Sequence, residues 1–143
     1  MRRRGATEGK NMKASSFLTL SAAVAAVLGA VIAVLPVQIA SLFGVSLDPN
    51  GALMARYVGI AWLGYGLLNW QARAAGAETR RIALAANLIP TGLGVLVTLF
   101  GIATGIGSVA MWFWVALFAV FAAGDAYFVT MSPALKMTQP ARA

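Results

Sequence analysis

IALAANLIPTGLGVLVTLFGIATGIGSVAMWFWVALFAVFAAG, residues 82–124, runs for 43 residues without a charge. A helix needs roughly 20 apolar residues to cross the hydrocarbon of a bilayer, so this stretch is too long for one crossing and about right for two. The join falls where small and turn-forming residues cluster, at Gly101, Thr104, Gly105, Gly107 and Ser108. Ser108 is placed to cap the helix that follows. The stretch therefore reads as spans 82–103 and 109–131, joined as a hairpin.

Upstream, Ala14–Leu47 is a second uncharged run, 34 residues long, enough for one crossing and a remainder. Pro36 marks the end of a first span over residues 15–35, because proline cannot continue an α-helix's hydrogen bonding. Residues 37–47 then read as a segment lying in the membrane interface, with Leu42 and Phe43 dipping toward the acyl chains. Asp48-Pro49-Asn50-Gly51 admits two readings, a helix N-cap with proline at the first helical position or a plain tight turn. Span two covers residues 52–71 and is interrupted only by Arg56.

Composition agrees with this placement. Of 143 residues, 60% are hydrophobic and 10% charged, and the mean hydropathy is +0.80. Soluble domains carry about 25% charged residues, so there is too little polar surface here to face water all round. The expected fold is an all-α membrane protein, an up-down bundle of four transmembrane helices in one domain (15–131), between a basic tail (1–14) and a second tail (132–143). Met12-Lys13 and the run that follows have the outline of a secretory signal, and Met12 is a second candidate initiator. The run exceeds a signal's apolar region of roughly 7–15 residues and lacks a polar small-residue cleavage site, so it is expected to stay as a span.

Orientation follows from the cations. With both termini in the cytoplasm, the inner side holds Arg2, Arg3, Arg4, Lys10, Lys13, Arg73, Arg80, Arg81, Lys136 and Arg142, and the outer side only Arg56. Such an excess sets an N-in, C-in topology in a bacterial inner membrane and disfavours dual insertion. The same basic tails have affinity for anionic lipid. They do not indicate nucleic acid, because orientation alone selects them and no aromatic platform accompanies them.

The chain has no His and no Cys, and four acids spread along its length. Imidazole-ligated haem, chlorophyll or zinc, thiolate chemistry and clustered carboxylate sites are therefore not expected, and neither is a metal or ligated cofactor. A lipid, carotenoid or quinone held without ligation remains compatible with the composition.

Helix faces supply the candidate site residues. In span three, Arg80, Ala83, Asn87, Thr91, Gly94, Thr98, Gly101 and Gly105 recur at three- and four-residue steps, forming one small, weakly polar stripe for close helix packing. This predicts span three as the span most surrounded by protein, kinked at Pro90. Span one offers Ser21, Ala25, Gly29 and Ala33 as a seam, and span two Ala55, Gly59, Gly64 and Gly66. Counting helix rise from the cytoplasmic ends puts Ser21, Tyr65, Asn87 and Asp125 at nearly one depth, with Asn69 one turn from Tyr65. They are expected to form a buried polar layer, serving packing or transport, in which Asp125 accepts from Tyr65 and Asn87 or meets Arg73, Arg80 or Arg81. Arg56 is too far along the axis to reach Asp125 and is expected to snorkel to lipid or pair with Asp48. Trp70, Trp112, Trp114 and Tyr127 mark membrane edges, whereas Trp62 falls near mid-bilayer, where its indole needs a partner, a neighbouring subunit or a pigment.

The run Ala40-Ser41-Leu42-Phe43-Gly44 through Asp48-Pro49-Asn50-Gly51 to Arg56, with Gly59 and Gly64-Tyr65-Gly66-Leu67-Leu68 beyond, resembles a widespread type of small bacterial four-helix membrane protein. That type joins spans one and two through a Phe-Gly-containing interfacial turn and places an arginine early in span two. The resemblance covers most of residues 15–130 and implies an architecture without an activity. The expected function is a non-enzymatic accessory or structural subunit of a larger inner-membrane complex, an energy-transducing complex being one such host. Its partners would be membrane lipids and other integral membrane subunits, or further copies of itself. The alternative is a small homo-oligomeric transporter or channel built on the polar layer. A lipid-modifying enzyme would need a nucleophile and base that the composition barely supplies.

Overall fold

The computed structural model describes residues 2–131, with side chains from Lys13 onward, so the tail 132–143 with Lys136 and Arg142 lies outside the described residues, as do the side chains of Arg2, Arg3, Arg4 and Lys10. The described chain is all-helical, in the order α1 (Arg2–Val34), α2 (Pro36–Leu42), α3 (Pro49–Ala72), α4 (Ala77–Ala103) and α5 (Trp112–Met131). Helix α1 starts well inside the basic stretch. Lys13–Val34 of α1, then α3, α4 and Val109–Met131 are long and apolar enough to cross a membrane.

The breaks have local causes. Leu35 precedes a proline, which disfavours α geometry, and sits at φ −122°, ψ 51° between α1 and α2. Gly44, at φ +75°, turns the chain out of α2. Of the two readings of Asp48, the cap is the one adopted: its Oδ1 accepts from the Gly51 amide at 2.6 Å, and Pro49 opens α3. Between α4 and α5, Gly105 and Gly107 take φ of +78° and +82°, and the Ser108 hydroxyl accepts from the Ala110 amide at 3.2 Å to cap a 3₁₀ turn, Val109–Met111, leading into α5. Helix α4 runs unbroken through Pro90, where the kink was expected.

Helix α1 packs along α3 and α4 along α5, and the two pairs touch each other at few places. The first pairing is a glycine seam. A Cβ on Gly29 would stand 2.8 Å from the Gly59 carbonyl oxygen, and one on Gly59 would stand 2.5 Å from the Ala33 nitrogen. Gly66 meets α1 in the same way, opposite the Ala22 carbonyl. With no side chain between them the backbones approach closely, which is how helices gain packing energy in lipid.

The four helices converge at the end of the bundle holding the α3–α4 turn, called the base here. Leu18 and Leu84 are fully buried there with Ala72, flanked by Phe17, Ala83, Phe128 and Val129. The Ser15 hydroxyl donates to the Arg73 carbonyl at 2.8 Å, tying α1 to the turn. At the opposite end, the crown, the Ser108 amide donates to the Phe43 carbonyl at 2.7 Å and joins the α2 segment to the α4–α5 loop. Helix α1, not α4, carries the larger buried share, which corrects the expectation for span three. It lies on α3 throughout and also sends Phe17 onto α5. Elsewhere the outside is apolar, with Val27, Ile60, Ile89, Val97, Phe100 and Val120 all exposed, as befits a surface solvated by lipid.

Candidate functional site: a polar chain beside a mid-bundle cavity

A hydrogen-bonded chain crosses from one helix pair to the other just above the base core. Asn69 of α3 is its centre: its Nδ2 donates to Ser21 Oγ of α1 at 3.1 Å, and its Oδ1 accepts from Asn87 Nδ2 of α4 at 2.9 Å. All three residues are buried. An amide suits the position because it donates and accepts at once and so joins a hydroxyl to a second amide.

One turn along α4, the Thr91 hydroxyl lies 2.9 Å from the Asn87 carbonyl, 3.3 Å from the Leu88 carbonyl and 3.4 Å from Asp125 Oδ2. Asp125 is only 1% exposed, and its Oδ1 has no hydrogen-bond partner. The buried Tyr65 hydroxyl also lacks one. Ser21, Asn87 and Asp125 thus come together as expected, but with different bonds. Thr91, which the layer did not include, bonds Asp125 Oδ2, and the Asn87 amide, bonded to Asn69, lies beside the same carboxylate. Of the three arginines considered for Asp125, Arg73 lies 3.5 Å over the Trp70 ring and Arg80 donates to the Ala75 carbonyl at 2.9 Å, while the buried Nε of Arg81 has no hydrogen-bond partner.

Beyond this polar chain the helix pairs part around a cavity of about 310 Å³. Ser21, Val24 and Ala25 of α1 and Pro90 and Thr91 of α4 form part of its wall. Ala61, Trp62 and Tyr65 of α3 and Leu117, Phe118 and Phe121 of α5 form the rest. Trp62 answers its mid-bilayer problem within the chain: its ring stands edge-on to Trp114 at 5.8 Å and to Phe118 at 5.9 Å. Trp114 stacks in turn on Phe43 at 5.2 Å, so one aromatic line runs from the crown to the cavity. Edge-to-face pairs of this kind add about 0.5–1.5 kcal/mol each beyond area burial.

The span-three stripe faces α5 at Gly94, where a Cβ would stand 2.7 Å from the Phe118 ring. Thr98 turns its hydroxyl back to the Gly94 carbonyl at 2.7 Å, and Gly101 is buried with open space beside its Cα. Arg56 does not pair with Asp48 and takes a further role within the chain. Its Nη1 donates to the Ala33 carbonyl at 2.7 Å and lies 3.4 Å from that of Val34, capping the end of α1. Those carbonyls are orphaned by the helix break at Leu35, and a guanidinium is the strongest donor within reach. Among the described residues no cluster of three or more His, Cys, Asp or Glu side chains suited to a metal exists. No protein family, curated protein or solved structure matches the chain.

Proposed function

We propose that this chain is a non-enzymatic accessory subunit of a larger bacterial inner-membrane assembly, inserted with both termini in the cytoplasm and packed against partner helices through α3 and α4. The carrying observation is the pair Gly64 and Gly92, where an added Cβ would meet nothing within 4 Å. Glycine costs a helix about 1 kcal/mol against alanine, and among the described residues no contact requires it at either position. Exposed Ile60, Leu67 and Leu68 surround Gly64 on α3, forming a notch in an apolar face that another helix can enter. The polar chain supports the same reading, since Ser21, Asn69 and Asn87 spend their groups on one another rather than on a solute. The cation excess supports the orientation, with Arg56, the exception, occupied by α1 carbonyls near the crown. Purification in mild detergent at native expression should give co-migration with stoichiometric partners. Recovery as a lone monomer refutes the proposal.

A second reading, a homo-oligomeric transporter with Asp125 as proton carrier, is favoured by one observation, the unpartnered Oδ1 of that buried carboxylate. It requires a flux in reconstituted liposomes that Asp125→Asn abolishes, and the absence of any flux retires it.

A further inference from the structure

The cavity between the helix pairs has an aromatic wall, in which Trp62 of α3 meets Phe118 of α5 and Phe121 of α5 takes part. Its polar end holds three hydroxyls, of which two already take part in hydrogen bonds. Ser21 accepts from Asn69, and Thr91 is shared among two carbonyls of its own helix and Asp125. The third, the Tyr65 hydroxyl, is buried beside Asn69 and Ser21 without a hydrogen bond to either, and a buried hydroxyl left unpaired carries a desolvation penalty. An occupant supplying an acceptor would remove that penalty. A cavity of 150 Å³ in another protein holds benzene, so about 310 Å³ accommodates a substituted ring or a fused pair of rings with the start of a tail. Helices α3 and α5 are not packed along their lengths and the outer face of the bundle is apolar, so an apolar ligand would reach the cavity from the bilayer.

We propose that this cavity binds a membrane-soluble quinone, its flat ring against the wall formed by Trp62, Phe118 and Phe121 and one carbonyl accepting from the Tyr65 hydroxyl. A quinone suits the site on each count: the ring is planar and apolar at its faces, its polar atoms are acceptors alone, and the molecule arrives through the bilayer. The site requires no metal and no charge. It stands independently of the accessory-subunit reading, because a lone chain would bind the ring as well as an assembled one.

The full chain, placed in phosphatidylcholine nanodiscs and dialysed against menadione with empty discs as the blank, should bind the quinone saturably at one per chain. The comparison compound 2-methylnaphthalene, with the same two rings and no carbonyl, should bind about five-fold more weakly, the worth of one neutral hydrogen bond. Tyr65→Phe should abolish that difference by lowering menadione affinity to the naphthalene level, while Tyr127→Phe leaves it unchanged. Ala61→Trp, which fills the cavity, should remove saturable binding of both. Uptake that only tracks the lipid content of the discs overturns the proposal, as does equal affinity of the wild-type chain for the two compounds. The second comparison uses no variant and so stands even if a substitution impairs folding.

Discussion

Adding one methyl group at Gly59 should separate α1 from α3, and adding one at Gly64, five residues along the same helix, should not. The Gly59 Cβ would fall 2.5 Å from the Ala33 nitrogen, 2.7 Å from the Gly29 oxygen and 2.9 Å from the Ala33 Cα. All three are backbone atoms, so no rotamer change relieves the overlap. Restoring ordinary contact at 3.4 Å requires the helices to part by about 0.9 Å. A gap approaching 1 Å forfeits a quarter to a half of each dispersion contact along the seam, and overpacking of this kind costs about 1–3 kcal/mol. Alanine's better helix propensity returns about 1 kcal/mol, leaving a net loss of up to about 2 kcal/mol for Gly59→Ala. Gly64→Ala carries the propensity gain with no clash and should be neutral or stabilising by up to about 1 kcal/mol. Reversible unfolding by SDS titration in mixed micelles measures both against the wild type. The reasoning fails if Gly59→Ala unfolds at the wild-type SDS fraction, or if the two variants are displaced alike.

The other predictions concern single bonds. Asn69→Leu removes both links of the polar chain and strands the Asn87 amide, and at about 0.6–1.7 kcal/mol per interhelical bond it should lower stability by about 1–3 kcal/mol in the same titration. A smaller loss than Gly59→Ala would show that the chain carries little of the fold. Arg56→Gln gives up the charge-assisted cap on Ala33 and should cost about 1 kcal/mol, its site being exposed, with amides near the α1–α2 break exchanging faster in hydrogen-exchange measurements. Unchanged exchange there would sink the capping argument. Gly107→Ala forces a side chain into φ +82° and against the Phe43 carbonyl at 2.9 Å, so the Ser108 amide should lose its bond and exchange at least about ten-fold faster. Retained protection would show that the crown joint does not depend on that glycine.

The parts legible in the sequence were those set by neighbours along the chain. Uncharged run length placed the four long helices, Pro36 placed the first break, and Ser108 announced a cap that forms. Even Asp48, ambiguous between a cap and a turn, needed only contacts three residues away to resolve it. What stayed hidden depends on how the helices are rotated about their axes. Depth counting brought Ser21, Asn87 and Asp125 to one level but could not say that Asn69 would stand between the first two, or that Thr91 would reach the third. Arg56 found carbonyls on a helix more than 20 positions away because the break at Leu35 had freed them, and charge patterning contains no record of such a vacancy. The dominance of α1 in the packing likewise comes from its place between α3 and the Phe121 and Phe128 rings of α5, a matter of tertiary arrangement.

The two hairpins are fastened at both extremities, by the Leu18 and Leu84 cluster below and by the Ser108 to Phe43 bond above, and bow apart only at their waists. A molecule lodged there has no axial exit, since each end is closed by packed side chains or a backbone clasp. For the ring proposed above, exchange would run sideways between staves, from the acyl chains around the bundle. Loading of that ring would then follow how far the two hairpins spread at the waist, not any opening at base or crown.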